Sequence, residues 1–153
     1  MMTHAICIET PLGPITLREN EGVLTSLSWA VLQERPVKTP LLCDAATQLA
    51  AYFAGDLQRF DLPFDWGAGL HAKVRRAMAA IPLGQTLTYG EISAQVGAPA
   101  QAVGQACGAN PLPIFIPCHR VLGAKGLGGF SAKGGVETKV WLLRHEGAAG
   151  LLI

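Results

Sequence analysis

A chain of 153 residues, half of them hydrophobic and only 15% charged, can bury enough apolar surface for one compact domain or two small ones, and it lacks the composition of a disordered segment. Twelve basic residues against eleven acidic ones leave a formal charge of +1, too little for a global field that gathers phosphates, so any hold on nucleic acid must come from a local surface. The apolar stretches are interrupted well short of a membrane span and the first residues form neither a basic nor a long apolar leader, so a cytoplasmic protein without a membrane partner is expected.

The first third reads as a small antiparallel sheet. Ile6 and Ile8 alternate, then Ile15 and Leu17, then the run Val23 to Trp29, with Pro11-Leu12-Gly13-Pro14 and Asn20-Glu21-Gly22 as the turns between them. A helix is expected from about Pro40, where Leu42, Ala46, Leu49 and Phe53 recur at helical spacing and Gly55 provides a stop. Pro63, Gly67 and Gly69 then break the periodicity. They place a boundary near Gly67, with one domain over 1–67 and a second over 68–153. Cys7 and Cys43 in the first domain, like Cys107 and Cys118 in the second, have no C-x-x-C partner, so free thiols are expected. A zinc site from His4, Cys7, Cys43 and His71 lacks any pair of ligands spaced on a shared turn, and no metal is expected.

The second half is mostly helical, which makes the whole an α+β chain. Val74, Met78 and Ile81 mark a helix that ends at Pro82-Leu83-Gly84. Thr88-Tyr89-Gly90-Glu91 has the form of a capping box, and Ile92 and Val96 give the short helix it opens an apolar face that Gly97 closes. A further short helix fits from about Pro99 to Gly108, with Pro99 in its first turn, so the pair forms a helix-turn-helix pattern. At 100° per residue this helix puts Ala100, Val103, Ala106 and Cys107 on one side and Gln101, Gln105 and Gly108 on the other. The second side is small, polar and uncharged. It is suited to close approach to a groove, although an ordinary solvated face has the same composition.

Pro117-Cys118-His119-Arg120, entered from the apolar and strand-like Ile114-Phe115-Ile116, carries the chemistry. An unperturbed thiol is mostly protonated at neutral pH and becomes a good nucleophile only as thiolate, so Cys118 needs a base, and His119 is the candidate. Neighbours in an extended segment point to opposite sides, so a bridging water or a break at Pro117 is needed between them. A buried Cys beside a structural His is the plainer account of such a dipeptide. The glycine-rich stretch from Gly123 to Gly135 matches no phosphate-binding pattern and reads as a flap around Phe130-Ser131. A last helix repeats Val136, Val140 and Leu143, with Glu146 at the edge of that apolar side, able to reach inward, and His145 nearly opposite. A partly buried carboxylate needs a partner, and an imidazole held in one tautomer suits it.

Taken together, Ile81-Pro82-Leu83-Gly84, Thr88-Tyr89, Ala102-Val103-Gly104, Asn110-Pro111, Ile116-Pro117-Cys118-His119-Arg120-Val121 and Trp141-Leu142-Leu143 through His145-Glu146-Gly147 resemble the O6-alkylguanine-DNA alkyltransferases, also called methylated-DNA-protein-cysteine methyltransferases. The ordered motifs run from about residue 70 to 147, and the first third is similar to the family's less well-defined, ribonuclease-H-like domain. The resemblance implies irreversible transfer of an alkyl group from O6 of guanine, with O4 of thymine as a further target, to Cys118 in a single turnover. His119 would take the thiol proton through a water, Glu146 would orient His119, and Tyr89 would help rotate the base and contact the leaving group. Val121 and Ser131 would line the guanine pocket, and Asn110 would tie the helix-turn-helix to the active-site segment. Gln101, Ala102, Gly104, Gln105 and Gly108 would face the minor groove of double-stranded DNA. No cofactor is implied, and a monomer is the simplest form.

Departures from the family pattern are as telling. Gln101 stands where the family usually has an Arg that fills the gap left by the rotated base, the turn before it is short, Phe130 replaces a common Tyr, and Leu70 and Arg75 replace frequent aromatics. Weaker DNA binding and less efficient base rotation are expected from Gln101. An alkyltransferase-like protein that binds lesions without reacting would lack the nucleophile that Cys118 supplies. A cysteine hydrolase built on Cys118, His119 and Glu146 would need an oxyanion hole and usually separates its Cys and His in sequence.

Overall fold

The alternating residues of the first third do pair into a sheet. Strands β1 (His4–Thr10), β2 (Gly13–Asn20) and β3 (Val23–Ser28) form an antiparallel meander in which Ile6 faces Leu17 and Leu17 faces Leu27. The β2–β3 turn places Glu21 at φ 52° and Gly22 at φ 80°, the left-handed pair whose twist matches that of a two-residue hairpin. The structure, a computed structural model, describes residues 3–123 and 135–148. It divides into two compact units between Asp65 and Trp66.

In the first unit, helix α1 (Pro40–Phe53) starts where Thr39 Oγ1 accepts from Leu42 N–H (3.1 Å) and donates to the buried Glu19 carboxylate (2.8 Å). It buries Leu42, Ala45, Leu49 and Tyr52, and it packs on the sheet that buries Ile15, Leu17, Leu24 and Leu27. Each such aliphatic side chain stabilises by about 1.5–3 kcal/mol, which is what holds a three-stranded sheet together. The buried stripe is turned slightly from the expected one: Ala45 and Tyr52 are inside, while Ala46 and Phe53 are only half-covered. Tyr52, at 2% exposure, lies wholly inside at the end of that stripe.

The second unit is helical. Helix α2 (Gly69–Ala79) buries Val74, Arg75 and Met78. Arg75 donates from Nη1 to Trp66 O (3.1 Å) and from Nη2 to Ala109 O (3.5 Å), while Arg76 stacks its guanidinium 4.5 Å from the Trp66 ring centroid. Gly67, at φ 76°, is required by this arrangement, since a Cβ there would collide with Arg75 Nη1. Helix α3 (Tyr89–Val96) opens on the expected capping box: Thr88 Oγ1 accepts from Glu91 N–H (3.1 Å) and Glu91 Oε1 accepts from Thr88 N–H (2.9 Å). Gly97 ends it in the left-handed conformation, φ 72°.

Helix α4 (Ala100–Gly108) follows after the turn, and α2, α3 and α4 pack against one another as the expected helix-turn-helix. Its start differs by one residue: Pro99 is the cap, with extended φ and ψ, rather than a first-turn residue. Val103, Ala106 and Cys107 are buried and Gln101, Gln105 and Gly108 exposed as the helical projection requires. Ala100 is the exception. It lies exposed because the first residue of a short helix projects past the partner that covers the later turns.

Helix α5 (Val136–His145) closes the described part of the unit and differs most from expectation. Val136 is exposed and Val140 half-covered, whereas Thr138, Lys139, Leu142 and Leu143 face inward. A lysine has taken an interior position that hydrophobic periodicity assigns to a neighbour.

Candidate active site

The strand-like Ile114-Phe115-Ile116 is not a strand. From Asn110 the chain turns repeatedly, with Ile116 N–H bonded to Leu112 O (2.8 Å) and Ile114 held at φ 72°, a strained conformation for a β-branched residue. Asn110 sets this path from within: its Nδ2 donates to Ile116 O (2.9 Å) and its Oδ1 accepts from Leu112 N–H (3.1 Å). Both bonds are buried, so the side chain replaces the ladder that a strand would have supplied. Cys118–Arg120 then forms one turn of 3-10 helix, and only Val121–Leu122 is extended, as β5, parallel to β4 (Leu87–Thr88). Strand β4 runs directly into Tyr89. The parallel pair thus brings the start of α3 alongside the segment that leaves Cys118.

The thiol is nearly enclosed, at 8% exposure. Burial pushes its pKa up, while a hydrogen bond from the Asn110 side chain and the nearby Lys139 charge work against that rise. His119 is fully buried, and its Nε2 lies 2.6 Å from Glu146 Oε2. Burial lowers the imidazole pKa despite the opposing carboxylate, so the neutral ring is the form at neutral pH. A carboxylate can only accept, and this assigns the ring proton to Nε2 and leaves a lone pair on Nδ1. Nδ1 is buried and has no hydrogen-bond partner among the described residues.

Glu146 would be pushed up by burial alone, but its bonds and charge contacts with His119 and Arg120 hold it down at about 2. Arg120 grips it with two donors, Nε to Oε1 (2.8 Å) and Nη2 to Oε2 (3.1 Å), and uses Nη1 to reach Ile81 O (2.7 Å). The buried carboxylate is therefore neutralised by a guanidinium and is free to orient the imidazole. Lys139, with no exposed surface, donates from Nζ to Val121 O (2.7 Å). Burial lowers its pKa, and the nearby Cys118 and Cys107 sulfurs raise it again. Tyr89, half-buried at the start of α3, has its phenol pKa raised first by burial and then by the same two sulfurs. A phenol so placed stays protonated and able to donate.

The outward face of α4 is open. Gln101, Gln105 and Gly108 are exposed, Ala102 and Gly104 half-covered, and a Cβ added at Gly104 or Gly108 would meet no neighbour within 4 Å.

A buried thiol, an oriented imidazole and a helix-turn-helix in one unit narrow the comparison with known proteins. The family profile for the ribonuclease-like domain of 6-O-methylguanine DNA methyltransferase matches residues 4–66, and that for its DNA binding domain matches residues 69–148. The chain belongs to the 6-O-methylguanine DNA methyltransferase family. Among the members of this methyltransferase family, the methylated-DNA–protein-cysteine methyltransferase of Mycobacterium tuberculosis is 43% identical over 155 residues, covering 95% of this chain and 93% of the relative. The constitutive enzyme of the same name from Bacillus subtilis is 38% identical over 158 residues, covering 95% and 96%. The crystal structure of the M. tuberculosis O6-methylguanine methyltransferase superposes with a TM-score of 0.84 at 40% identity, over 99% of this chain and 97% of that one. The M. tuberculosis OGT solved in complex with DNA gives 0.83 at 42% identity, over 95% and 93%.

Of the methyltransferase residues singled out in the sequence, Cys118, His119, Val121, Asn110 and Glu146 come together around one turn of the chain, and Tyr89 lies within electrostatic reach of the Cys118 sulfur. Ser131, with the flap around Phe130, falls outside the described residues. Two charged side chains of this centre escaped the sequence reading. Arg120 stood in the motif without a role, yet a buried carboxylate beside a neutral imidazole calls for a cation. Lys139 gave no signal except its place among apolar neighbours on α5.

Proposed function

We propose that this chain repairs alkylated DNA by moving the alkyl group from O6 of guanine, and from O4 of thymine, to Cys118, once per molecule. The observation that carries the proposal is the buried His119–Glu146 pair next to a nearly enclosed thiol, within the half of the chain that matches the family's DNA binding domain.

The chemistry needs alignment and proton management rather than a cofactor. Neutral His119, with its Nδ1 lone pair, accepts the Cys118 proton through one water. Glu146 holds the Nε2–H tautomer and stabilises the imidazolium that forms, while Arg120 keeps Glu146 ionised. Lys139 favours the thiolate by proximity. The sulfur displaces the guanine oxygen at the alkyl carbon, and the Tyr89 phenol donates to the departing base. The product is a thioether, which has no good leaving group, so Cys118 is not regenerated. Asn110 fixes the turn that carries the thiol, and the Val121 carbonyl retains a second lone pair for the edge of the guanine.

Double-stranded DNA carrying an O6-alkylguanine is the partner. The bare face of α4, from Gln101 through Ala102, Gly104, Gln105 and Gly108, suits close approach to the minor groove while the target base is turned out of the stack. We take the protein to act as a monomer in the cytoplasm, where thiols stay reduced. Among the described residues no helix is long and apolar enough to cross a membrane.

Intact mass and peptide mapping after incubation with a duplex containing one O6-methylguanine test this reading, with Cys118→Ser alongside. One added methyl at Cys118, absent from the control, supports it. Tight lesion binding without any adduct overturns it in favour of a recognition protein.

A further inference from the structure

Arg75 is a buried cation with no carboxylate beside it. It is 8% exposed, its Nη1 donates to Trp66 O (3.1 Å) and its Nη2 to Ala109 O (3.5 Å), and among the described residues it forms no ion pair. An arginine is seldom taken inside without an anionic partner, because its charge loses water and neutral acceptors return only part of that loss. Yet the backbone has made room for this one. Gly67, at φ 76°, lies so close that a Cβ there would collide with Nη1.

What the guanidinium holds accounts for its burial. Ala109 is the C-cap of α4, where a helix presents its unpaired carbonyls and the negative end of its dipole, and a cation is favoured at such an end. The same residue directly precedes Asn110, whose Nδ2 donates to Ile116 O (2.9 Å) and whose Oδ1 accepts from Leu112 N–H (3.1 Å), the two bonds that fold the turn leading to Cys118. Arg75 thus grips the chain where α4 passes into the active-site turn. The other end of the grip is fixed as well, since Trp66 has the Arg76 guanidinium 4.5 Å from its ring centroid.

We propose that Arg75 is a positioning residue for transfer from duplex DNA, which fixes the offset between α4 and the Cys118 turn by bridging Trp66 O and Ala109 O. This rests on the functional reading above, in which α4 lies in the minor groove while a base is turned out toward Cys118. With the duplex held on α4, the alkyl carbon meets the sulfur only if helix and turn keep their spacing, and a misplacement of about 1 Å can cost on the order of a hundredfold in rate. A free alkylated base is held by the pocket alone and does not sense where α4 sits. The planar guanidinium addresses two carbonyls at once, which neither an ammonium nor the aromatic ring frequent at this position in the family can do.

The test compares Arg75→Lys and Arg75→Met with the parent protein in three measurements: single-turnover transfer from an O6-methylguanine duplex over a range of DNA concentrations, reaction with free O6-benzylguanine, and the pH dependence of the latter. Arg75→Lys keeps a cation and an aliphatic stem inside the fold and gives up only the two-carbonyl bridge. Expected is a limiting rate on duplex lower by roughly fivefold in Arg75→Lys and roughly tenfold or more in Arg75→Met, with the half-saturating DNA concentration and the free-base rate within about twofold of the parent and the pH midpoint unmoved. A merely structural role would lower both rates together through the folded fraction. Equal proportional losses on duplex and free base in Arg75→Lys, parental rates on both, or a change confined to half-saturation each overturn the proposal, whether or not Arg75→Met folds. A parent protein that takes no methyl from the duplex overturns the functional reading instead, so the two failures are told apart by the unsubstituted chain.

Discussion

Glu146 accepts three hydrogen bonds at once, two from the Arg120 guanidinium and one from the neutral His119 ring. In Glu146→Gln the amide can no longer serve two cationic donors and one imidazole, and a buried guanidinium is left without its counter-charge. Breaking a buried pair in this way is expected to cost about 3–5 kcal/mol, measured by urea unfolding. Single-turnover transfer should slow by roughly a hundredfold, the lower range for loss of positioned general-base help. A Glu146→Gln protein that transfers at the parental rate would remove His119 from the proton path. Lys139→Met separates electrostatics from packing at the other end of the site. The thioether chain fills similar space without the desolvation of a buried ammonium, so the fold should survive, while the Cys118 thiolate loses a nearby positive charge. The pH at which the transfer rate reaches half its maximum should move upward. An unchanged midpoint would make Lys139 a purely structural donor to Val121.

At the level of elements, the outward face of α4 is the surface proposed to meet DNA. Gln101 is exposed at its first turn and offers hydrogen bonds but no charge or broad planar surface to occupy the gap behind a rotated base. Gln101→Arg is therefore expected to raise the transfer rate on duplex DNA by roughly tenfold or more, the scale of one stacked cation at about 1.4 kcal/mol, while the rate with free O6-benzylguanine changes little. Equal rates on duplex for the two proteins would show that Gln101 does not limit base rotation. This face was legible in the sequence because a short helix between Gly97 and Gly108 has only one way to bury Val103, Ala106 and Cys107. The capping box at Thr88 and the three-stranded meander were legible for similar reasons, since caps and turns are local chemistry. The approach to Cys118 was not. Ile114-Phe115-Ile116 has a strand's composition, and its turns are imposed by Asn110 from four to six residues upstream. Lys139 was illegible for the complementary reason: a lysine is read as solvent-facing unless a buried carbonyl, here that of Val121, is known to need it.

For the whole molecule, the buried centre predicts how stability depends on pH, and both limbs arise in the unit that carries α5. Glu146 is held at about 2 in the folded state against an ordinary 4.5, so the fold binds fewer protons than the unfolded chain, and the stability it contributes is present above pH 4.5 and lost as pH falls toward 2. His119 acts in the same sense from a higher pH. Its folded pKa is lowered from 6.5, so its contribution is complete above that value and begins to fall below it. The thiols act oppositely. Cys107 rises from 9.0 to about 12 and Cys118 rises as well, so the folded state holds protons that the unfolded chain releases, and stability is lost as pH climbs above 9. A plateau between about pH 6.5 and 9 is the expected outcome. It can be measured as the urea midpoint read from Trp66 and Trp141 fluorescence in a Trp29→Phe protein, which silences the tryptophan of the first unit. Cys107→Ala should flatten the alkaline limb and leave the acid limb in place, because only the latter depends on Glu146 and His119. An alkaline limb unchanged by that substitution would mean that the buried Cys107 thiol does not control it. The rate of alkyl transfer should climb with pH across the same range as Cys118 ionises, so the ionisation that makes the reagent reactive also works against the fold that holds it.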